Sequence, residues 1–330
     1  MSDAQRLALL SDRPQGSIGV LGAEAEPGWA DFPDLVFEQR DRVAFERMQG
    51  MGLHVVPKLE EPVDALIVSL GKSRQQNLGR IARAARLLPA GAELIVSGQK
   101  TAGIDSLLKQ LRSRMTLGEV TSKAHGKIVA LTLPDDAAAL TEDWHRAAQP
   151  AIRDGFATAP GMFSADGPDP GSVALADRFD AALSGRVADL GAGWGWLSAQ
   201  ALAAAPAIES IALYETDADA LDAARRNVDD PRAEYHWADV TALPASGDAD
   251  WVIMNPPFHA SRAAEPELGR AFLAAAARVL KPSGTALIVA NRHLPYESAL
   301  DAHFRDWTEQ PGPAAFKIFS ARRPKTPARR

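Results

Sequence analysis

The chain has 330 residues, of which 46% are hydrophobic, and this gives enough length and apolar material for two packed domains. It contains no cysteine, which excludes disulfide bonds, cysteine-ligated zinc and the iron–sulfur cluster of a radical enzyme. Its formal net charge of -6 argues against indiscriminate binding to nucleic acid.

The first half of the chain predicts alternating strands and helices. Helical stretches such as 75–88 and 104–114 separate short apolar segments of strand length. The predicted strands are 16–22, 34–37, 53–56, 64–70, 92–97 and 127–133. Because strands that alternate with helices build open, mostly parallel sheets, the fold class is predicted to be α/β.

The second half repeats this plan, and part of the repetition is visible in the letters. DALIVSLGK (64–72) stands against DWVIMNPPF (250–258), and LLPAGAELIVSG (87–98) stands against LKPSGTALIVAN (280–291). Similar segments in the same order indicate a duplication, so we predict two tandem domains of one fold.

A domain boundary is predicted near residue 150. A helical connection at 135–150 leads into a loop rich in glycine and proline at 155–171. The predicted domains are therefore 1–150 and 151–330. The loop is either a plain linker or, since long ordered loops are often functional, part of a site.

A glycine-rich loop follows a predicted strand in the second domain. The segment VADLGAGWG (187–195) carries Asp189 and then Gly191, Gly193 and Gly195 ahead of a helix. The glycines allow a ligand to approach the backbone and the amino terminus of the helix. A dinucleotide loop would have glycine in place of Trp196, so the spacing disfavours a hydride-transferring enzyme.

Two acids follow the next two predicted strands. Glu215 ends the strand 210–214 and is placed to accept hydrogen bonds from both hydroxyls of a ribose. Asp239 ends the strand near 235–238 and could accept a hydrogen bond from an adenine amino group. Either acid alone is an ordinary helix cap, but the two in succession indicate a nucleoside-bearing cofactor.

The segment 250–259, DWVIMNPPFH, carries the predicted chemistry. The buried strand 251–254 opens onto Asn255, Pro256, Pro257 and Phe258, and the carboxyl ends of strands are where open α/β sheets bind ligands. The Asn255 side-chain oxygen and the Pro256 carbonyl can each accept one N–H of an aromatic amine, and Phe258 offers a ring for stacking. The pattern favours amine methylation, although Asn-Pro-Pro can also simply turn the chain.

The glycine loop, the two acids and the Asn-Pro-Pro-Phe segment together resemble the class I methyltransferases that use S-adenosylmethionine. Three further segments resemble the ribosomal small-subunit RNA guanine-N2 methyltransferase C family: GMFSADGPDPGS (161–172), NPPFH (255–259), and VANRHLPY (289–296) with FKIFSAR (316–322). The resemblance implies two Rossmann-like domains, the first degenerate. It also implies S-adenosylmethionine as donor and a guanine exocyclic amine in 16S RNA as acceptor.

The resemblance also implies the roles of particular residues. The residues expected to hold the cofactor are Asp189, Gly191, Gly193, Gly195, Glu215 and Asp239. The guanine is expected to lie against Asn255, Pro256, Pro257 and Phe258. In the first copy the places of Asn255, Pro256 and Pro257 are taken by Ser69, Leu70 and Gly71, so the first copy lacks the amine-holding residues. Trp194 and Trp196 depart from the smaller residues usual in the glycine loop.

Positive charge is segregated in the first domain. From Lys72 to Lys127 the chain has eleven Lys or Arg residues against three acidic ones, and a second basic group lies at 322–330. Segregated charge is typical of a phosphate-binding face, but a solvated helix surface has the same composition. We therefore expect the first domain to bind RNA or to play a structural role, and the partner to be ribosomal RNA or the small ribosomal subunit.

Other functions remain open at this stage. The acceptor could be another planar amine, namely a large-subunit RNA guanine, adenine N6 or a protein glutamine, or the chain could be a non-catalytic RNA-binding or assembly factor. The amino-terminal region has only the short apolar piece 7–10 without a cleavage-site pattern, and no run is long enough to span a bilayer. We expect a cytoplasmic protein with no membrane or metal partner and leave its oligomeric state open.

Overall fold

The computed structural model describes residues 2–10, 14–257 and 265–325. The chain forms two compact units, which we name the first unit (Met1–Pro150 with Ala159–Gly161) and the second unit (Ala151–Thr158 with Met162–Arg330). Each unit is described by itself below.

The first unit is built on a seven-stranded sheet. Its helices are α1 (Asp3–Leu7), α2 (Arg42–Gly50), α3 (Arg74–Leu87), α4 (Ile104–Arg112), α5 (Ala137–Leu140) and α6 (Glu142–Ala148). Its strands are β1 (Ile18–Leu21), β2 (Leu35–Glu38), β3 (His54–Val56), β4 (Ala65–Ser69), β5 (Glu93–Gln99), β6 (Val120–Lys123) and β7 (Gly126–Thr132). The strand order is β3-β2-β1-β4-β5-β7-β6. Neighbours among the first five strands are parallel, and β7 is antiparallel to both of its neighbours, β5 and β6.

The second unit repeats this sheet and adds a hairpin. Its helices are α7 (Pro170–Ala176), α8 (Trp196–Ala204), α9 (Ala218–Asn227), α10 (Glu265–Val279) and α11 (Glu297–His303). The hairpin is β8 (Ala151–Arg153) with β9 (Phe156–Thr158), and the sheet strands are β10 (Gly185–Leu190), β11 (Ile208–Glu215), β12 (Ala233–Trp237), β13 (Ala249–Met254), β14 (Leu280–Asn291), β15 (Phe304–Gln310) and β16 (Phe316–Pro324). The sheet order is β12-β11-β10-β13-β14-β16-β15.

The two sheets have one and the same topology, which confirms the predicted pair of α/β domains. The two sheets also share a hydrogen bond at the start of their central strands. The backbone N–H of Ser17 donates to Asp64 Oδ2 at 2.8 Å, and that of Arg186 donates to Asp250 Oδ2 at 2.9 Å. Asp64 and Asp250 head the two segments that match in sequence, so the same contact is present twice.

Both faces of the second sheet are covered by helices. Along β13, Val252 and Met254 pack in a cluster with Phe272 of α10, whereas Ile253 packs on the other face in a cluster with Leu197 of α8. Successive side chains of a strand point to opposite faces, so a strand covered on both sides has a continuous apolar sequence. This is why 251–254 shows no polar alternation.

Some elements of the structure were not predicted from the sequence, among them three short strands. The strand β6 and the hairpin of β8 with β9 lack the long apolar runs used to predict the other strands, because their side chains are largely solvent-accessible, and Ile152 of β8 is 78% exposed. The predicted helical connection at 135–150 is present as α5 and α6.

Candidate functional site

The glycine loop lies between β10 and α8, as the sequence predicts. Gly191, Gly193 and Gly195 have φ angles of 78°, 55° and 85°, a region that side-chain-bearing residues rarely adopt. A Cβ at Gly195 would lie 2.9 Å from a methyl carbon of Val228, whereas a Cβ at Gly193 would meet no atom within 4 Å. Packing against α9 thus accounts for Gly195, and Gly193 borders open space where a ligand can approach.

Asp189 is completely buried beneath this loop. The Ser198 hydroxyl of α8 donates to Asp189 Oδ2 at 2.6 Å. The other oxygen, Oδ1, is buried and has no hydrogen-bond partner among the residues that the structure describes. The pKa of Asp189 is raised to about 7, chiefly by burial and also by the charge of Glu215, while the Ser198 hydrogen bond opposes the rise. A buried acceptor without a partner marks a place where a ligand donor fits.

Glu215, at the end of β11, is joined to the glycine loop. Its Oε2 accepts the backbone N–H of Gly193 at 2.8 Å, and its Oε1 accepts those of Thr216 at 2.8 Å and Asp217 at 2.9 Å. The carboxylate is therefore fixed in orientation beside the loop. The structure brings together two of the predicted cofactor residues, Gly193 and Glu215.

Negative charge accumulates at these strand ends. Burial, the carboxylate of Asp219 and the carboxylate of Glu215 together raise the pKa of Asp217 to about 6, against the opposing effect of backbone hydrogen bonds. The charges that act on both Asp189 and Asp217 are those of other carboxylates. Since like charges destabilise one another, a cationic ligand complements this site.

Asp239 lies at the end of the next strand, β12. Its Oδ1 accepts the Thr241 backbone N–H at 2.8 Å and the Thr241 hydroxyl at 2.7 Å, which caps a short 3₁₀ turn. These contacts are local and do not join Asp239 to the glycine loop or to Glu215. Its predicted role toward adenine remains a proposal.

Asn255 lies immediately after β13, with its side-chain amide held from one side. Asn255 Nδ2 donates to Asp169 Oδ2 at 2.9 Å and to Ser172 Oγ at 2.9 Å. A cavity is lined by Asp169, Ser172 and Asn255 together with Gly191 and Gly193. The predicted amine-holding residue and the glycine loop therefore face one space, and the loop 155–171 contributes to it.

The remaining predicted substrate residues follow Asn255. Pro256 is buried and Pro257 is exposed, as expected for a chain that leaves the sheet edge. The prediction for Phe258 lies outside the residues that the structure describes.

Comparison with known proteins identifies a family and several relatives. Residues 154–320 match the family model described as methyltransferase small domain. A curated relative from Sodalis glossinidius, named ribosomal RNA small subunit methyltransferase C, is 32% identical and aligns with 85% of this chain and 80% of its own length. A relative of the same name from Shewanella sp. (strain MR-4) is 31% identical over 81% of this chain and 79% of its own length.

The chain belongs to the ribosomal RNA small subunit methyltransferase C family.

A solved structure shares the tandem fold of this family. It is that of T. thermophilus 16S rRNA N2 G1207 methyltransferase (RsmC) in complex with AdoMet and guanosine. The TM-score is 0.77 at 24% sequence identity, with 97% of this chain and 91% of that chain covered. The likeness confirms the predicted fold over nearly the whole chain.

In this member of the family, sequence reasoning missed three polar residues of the site. Asp169 caps α7, with Ser172 three residues later, and both reach Asn255 across more than eighty positions of sequence. Ser198 reaches Asp189 from α8. An Asp followed by Pro170 at the first helical position is a helix-start signal, and it could have located α7 within the loop.

The first unit lacks these groups at the corresponding strand ends. In the first unit Val20 pairs with Ile67, and in the second unit Asp189 pairs with Ile253. Val20 therefore occupies the position of Asp189, and an apolar residue replaces the buried acid. Gln39 replaces Glu215: its Oε1 accepts the Asp41 backbone N–H at 2.9 Å, and its Nε2 donates to the Ala23 carbonyl at 3.1 Å. A neutral side chain thus keeps the turn but supplies no carboxylate.

The basic stretch 72–127 is partly neutralised by ion pairs within the first unit. Arg83 pairs with Glu38, Arg86 with Glu142, Arg114 with Asp143, and Lys127 with Asp105. The exposed cations are Lys72, Arg74, Lys100, Lys109, Arg112 and Lys123. The phosphate-binding face predicted from composition is therefore smaller than the number of basic residues implies.

Two further features are absent from the described ranges 2–10, 14–257 and 265–325. No helix there is both long and apolar enough to cross a membrane. In the same ranges, no group of three or more His, Cys, Asp or Glu side chains is arranged to hold a metal ion.

Proposed function

We propose that the protein transfers the methyl group of S-adenosylmethionine to the exocyclic N2 amine of a guanine in 16S ribosomal RNA. Membership of the methyltransferase C family supports this reaction. The observation that carries it is that Asn255 lines one cavity with Gly191 and Gly193. An acceptor for an amine N–H and a loop open to a cofactor thus share one space.

The second unit holds the cofactor through groups already in place. The unpartnered Oδ1 of buried Asp189 and the fixed carboxylate of Glu215 offer acceptors, and the surrounding acids favour a ligand with positive charge. S-adenosylmethionine fits this arrangement because it is cationic and carries ribose hydroxyls as donors. Asp239, at the neighbouring strand end, is proposed to bind the adenine amine.

Asn255 and Pro256 position the acceptor amine. The cofactor supplies an electrophilic methyl group on a sulfonium sulfur. The nitrogen lone pair forms the new N–C bond, the C–S bond breaks with its electron pair remaining on sulfur, and one proton leaves the nitrogen for water. Asn255 Oδ1 and the Pro256 carbonyl accept the two N–H groups and stabilise the positive charge that develops on nitrogen, so no strong general base is required.

The first unit is proposed to contact RNA without binding a cofactor. Val20 and Gln39 stand at its strand ends in place of the two acids. Several of its exposed cations follow the carboxyl ends of β4 and β5 or lie on α4, and a surface of this kind binds phosphates.

Methyl transfer is tested with isotopically labelled S-adenosylmethionine and small ribosomal subunits or 16S RNA that lack the modification, followed by nucleoside mass spectrometry. We expect label in N2-methylguanosine. The relative from T. thermophilus is named for G1207, so the equivalent guanine is the first position to map. Label in N6-methyladenosine would replace the proposed acceptor. So would transfer in parallel reactions to large-subunit RNA, or to protein glutamine detected by amino-acid analysis, and cofactor binding without transfer to any substrate would contradict the reaction.

A further inference from the structure

The side-chain amide of Asn255 is held by two acceptors from one short segment. Asp169 Oδ2 and Ser172 Oγ each lie 2.9 Å from Asn255 Nδ2. Asp169 Oδ2 also accepts the backbone N–H of Ser172 at 3.0 Å, and Ser172 is buried. The carboxylate is thereby fixed to the start of α7 as well as to Asn255.

This arrangement determines which end of the amide faces the acceptor amine. An Asn amide nitrogen has two hydrogens, and both have an acceptor here. An ionised carboxylate can only accept, so a flipped amide would set Asn255 Oδ1 against Asp169 Oδ2 with two lone pairs opposed. The network therefore leaves Oδ1 as the atom available to the cavity.

The charge of Asp169 has a second consequence. A carboxylate behind Nδ2 polarises the amide and increases the negative charge on Oδ1, because hydrogen bonds in a chain strengthen one another away from bulk water. An acceptor strengthened in this way stabilises an amine that becomes positive during the reaction more than it stabilises the neutral amine. Stabilisation of that kind accelerates the chemical step.

We propose that Asp169 and Ser172 are positioning residues for methyl transfer, which fix the Asn255 amide with Oδ1 toward the acceptor amine and strengthen it as an acceptor. The proposal rests on the proposed function. In this proposal the segment 161–172 contributes to methyl transfer through Asp169 and Ser172, which act by orienting Asn255.

The decisive variant is Asp169→Asn. Asn caps helices about as well as Asp, so α7 is retained, but an amide at position 169 can donate to Asn255 Oδ1 and permits the flipped orientation. We expect a single-turnover rate lower by on the order of tenfold to a hundredfold, with unchanged S-adenosylmethionine affinity and thermal stability. Ser172→Ala removes one acceptor and should cost about tenfold or less.

The matched control is Asp166→Asn in the same segment. The Asp166 side chain is 95% exposed and pairs with Arg153, so this variant removes one charge near the site without touching Asn255. It should transfer methyl groups at the parental rate. Asp169→Asn should also have no further effect on the rate in an Asn255→Ala background, because the two residues act as one unit.

A second readout does not depend on activity. The two side-chain amide protons of Asn255, observed by NMR in the folded protein, should be protected from exchange in the parent and lose protection in Asp169→Asn. Parental rate and parental protection in Asp169→Asn would overturn the proposal, as would an equal loss of rate in the Asn255→Ala background. If the parent itself transfers no methyl group, the proposed function fails, and amide protection alone still decides whether Asp169 fixes Asn255.

Discussion

The Ser198 hydroxyl donates a 2.6 Å hydrogen bond to one oxygen of the completely buried Asp189 carboxyl group. The other oxygen has no partner among the described residues. An acid with one satisfied and one unsatisfied oxygen destabilises the ligand-free protein when ionised, and a ligand that donates to it removes this penalty.

Asp189→Asn should alter how stability depends on pH. Burial raises the pKa of Asp189 from 3.8 to about 7. Below pH 3.8 the carboxyl group is protonated in both the folded and the unfolded chain, whereas between pH 3.8 and about 7 it is protonated only in the folded chain. The parental free energy of unfolding should therefore fall as pH rises from about 4 to 7, by at most about 1.4 kcal/mol per pH unit relative to Asp189→Asn, and the difference should level off above pH 7. Chemical denaturation of both proteins across this range measures the difference, and parallel curves would contradict the buried acid.

Asn255→Ala should reduce the rate of methyl transfer and leave cofactor binding nearly intact. Asn255 offers an acceptor whose contact matters most when the amine becomes positive, so we expect a loss on the order of a hundredfold or more in the single-turnover rate. Titration calorimetry with S-adenosylmethionine is the control. An unchanged rate would remove Asn255 from the mechanism.

Glu215→Ala should have the opposite effect. The carboxylate holds the loop at Gly193 in the ground state and the transition state alike, so its loss should weaken S-adenosylmethionine binding with little change in rate at saturation. Glu215→Gln should also bind weakly if its amide nitrogen faces the Gly193 N–H. Glu209→Gln, exposed near the start of the same strand, is the control and should bind normally. Equal affinity for all three variants and the parent would mean that the cofactor does not use this strand end.

Lys109→Gln with Arg112→Gln should weaken RNA binding and flatten its salt dependence. Both cations are exposed on α4, and the slope of log affinity against log salt should become shallower by about 0.7 to 0.9 for each phosphate that a cation no longer neutralises. The control pair Arg47→Gln with Lys58→Gln makes the same change in net charge elsewhere on the first unit. If both pairs bind RNA like the parent at every salt concentration, the exposed cations of α4 do not contact RNA.

Arg114 does not belong in that test, although the sequence groups it with Lys109 and Arg112. Its guanidinium donates to both oxygens of Asp143 at 2.7 and 2.8 Å and lies 4.4 Å from the centre of the Trp144 ring. Replacing it would disturb the packing of α6. Similarly, a truncation meant to remove the basic carboxyl-terminal residues should follow Lys325, because β16 continues to Pro324.

The sequence predicted the parts of the site that are encoded locally. Glu215 ends a predicted strand, Asn255 directly follows one, and Gly191 and Gly193 lie in one short loop, so pattern and position suffice to name them as candidates. Asp169 and Ser172 could not be paired with Asn255 in this way, because the contact depends on where α7 packs. Gly195 was assigned to the cofactor, yet its neighbours Val228 and Ala224 already exclude a side chain, a packing constraint invisible in a motif.

The last strand of the second sheet is not at its edge. β16 pairs with β14 along residues 285–291 and also pairs with β15, so it is inserted between two strands that precede it in the chain. During synthesis one edge of β14 therefore stays unpaired, and β15 cannot pair with the sheet, until residues 316–324 have left the ribosome. The strands of the first sheet end at residue 132, so that sheet can form before the edge of the second sheet is completed.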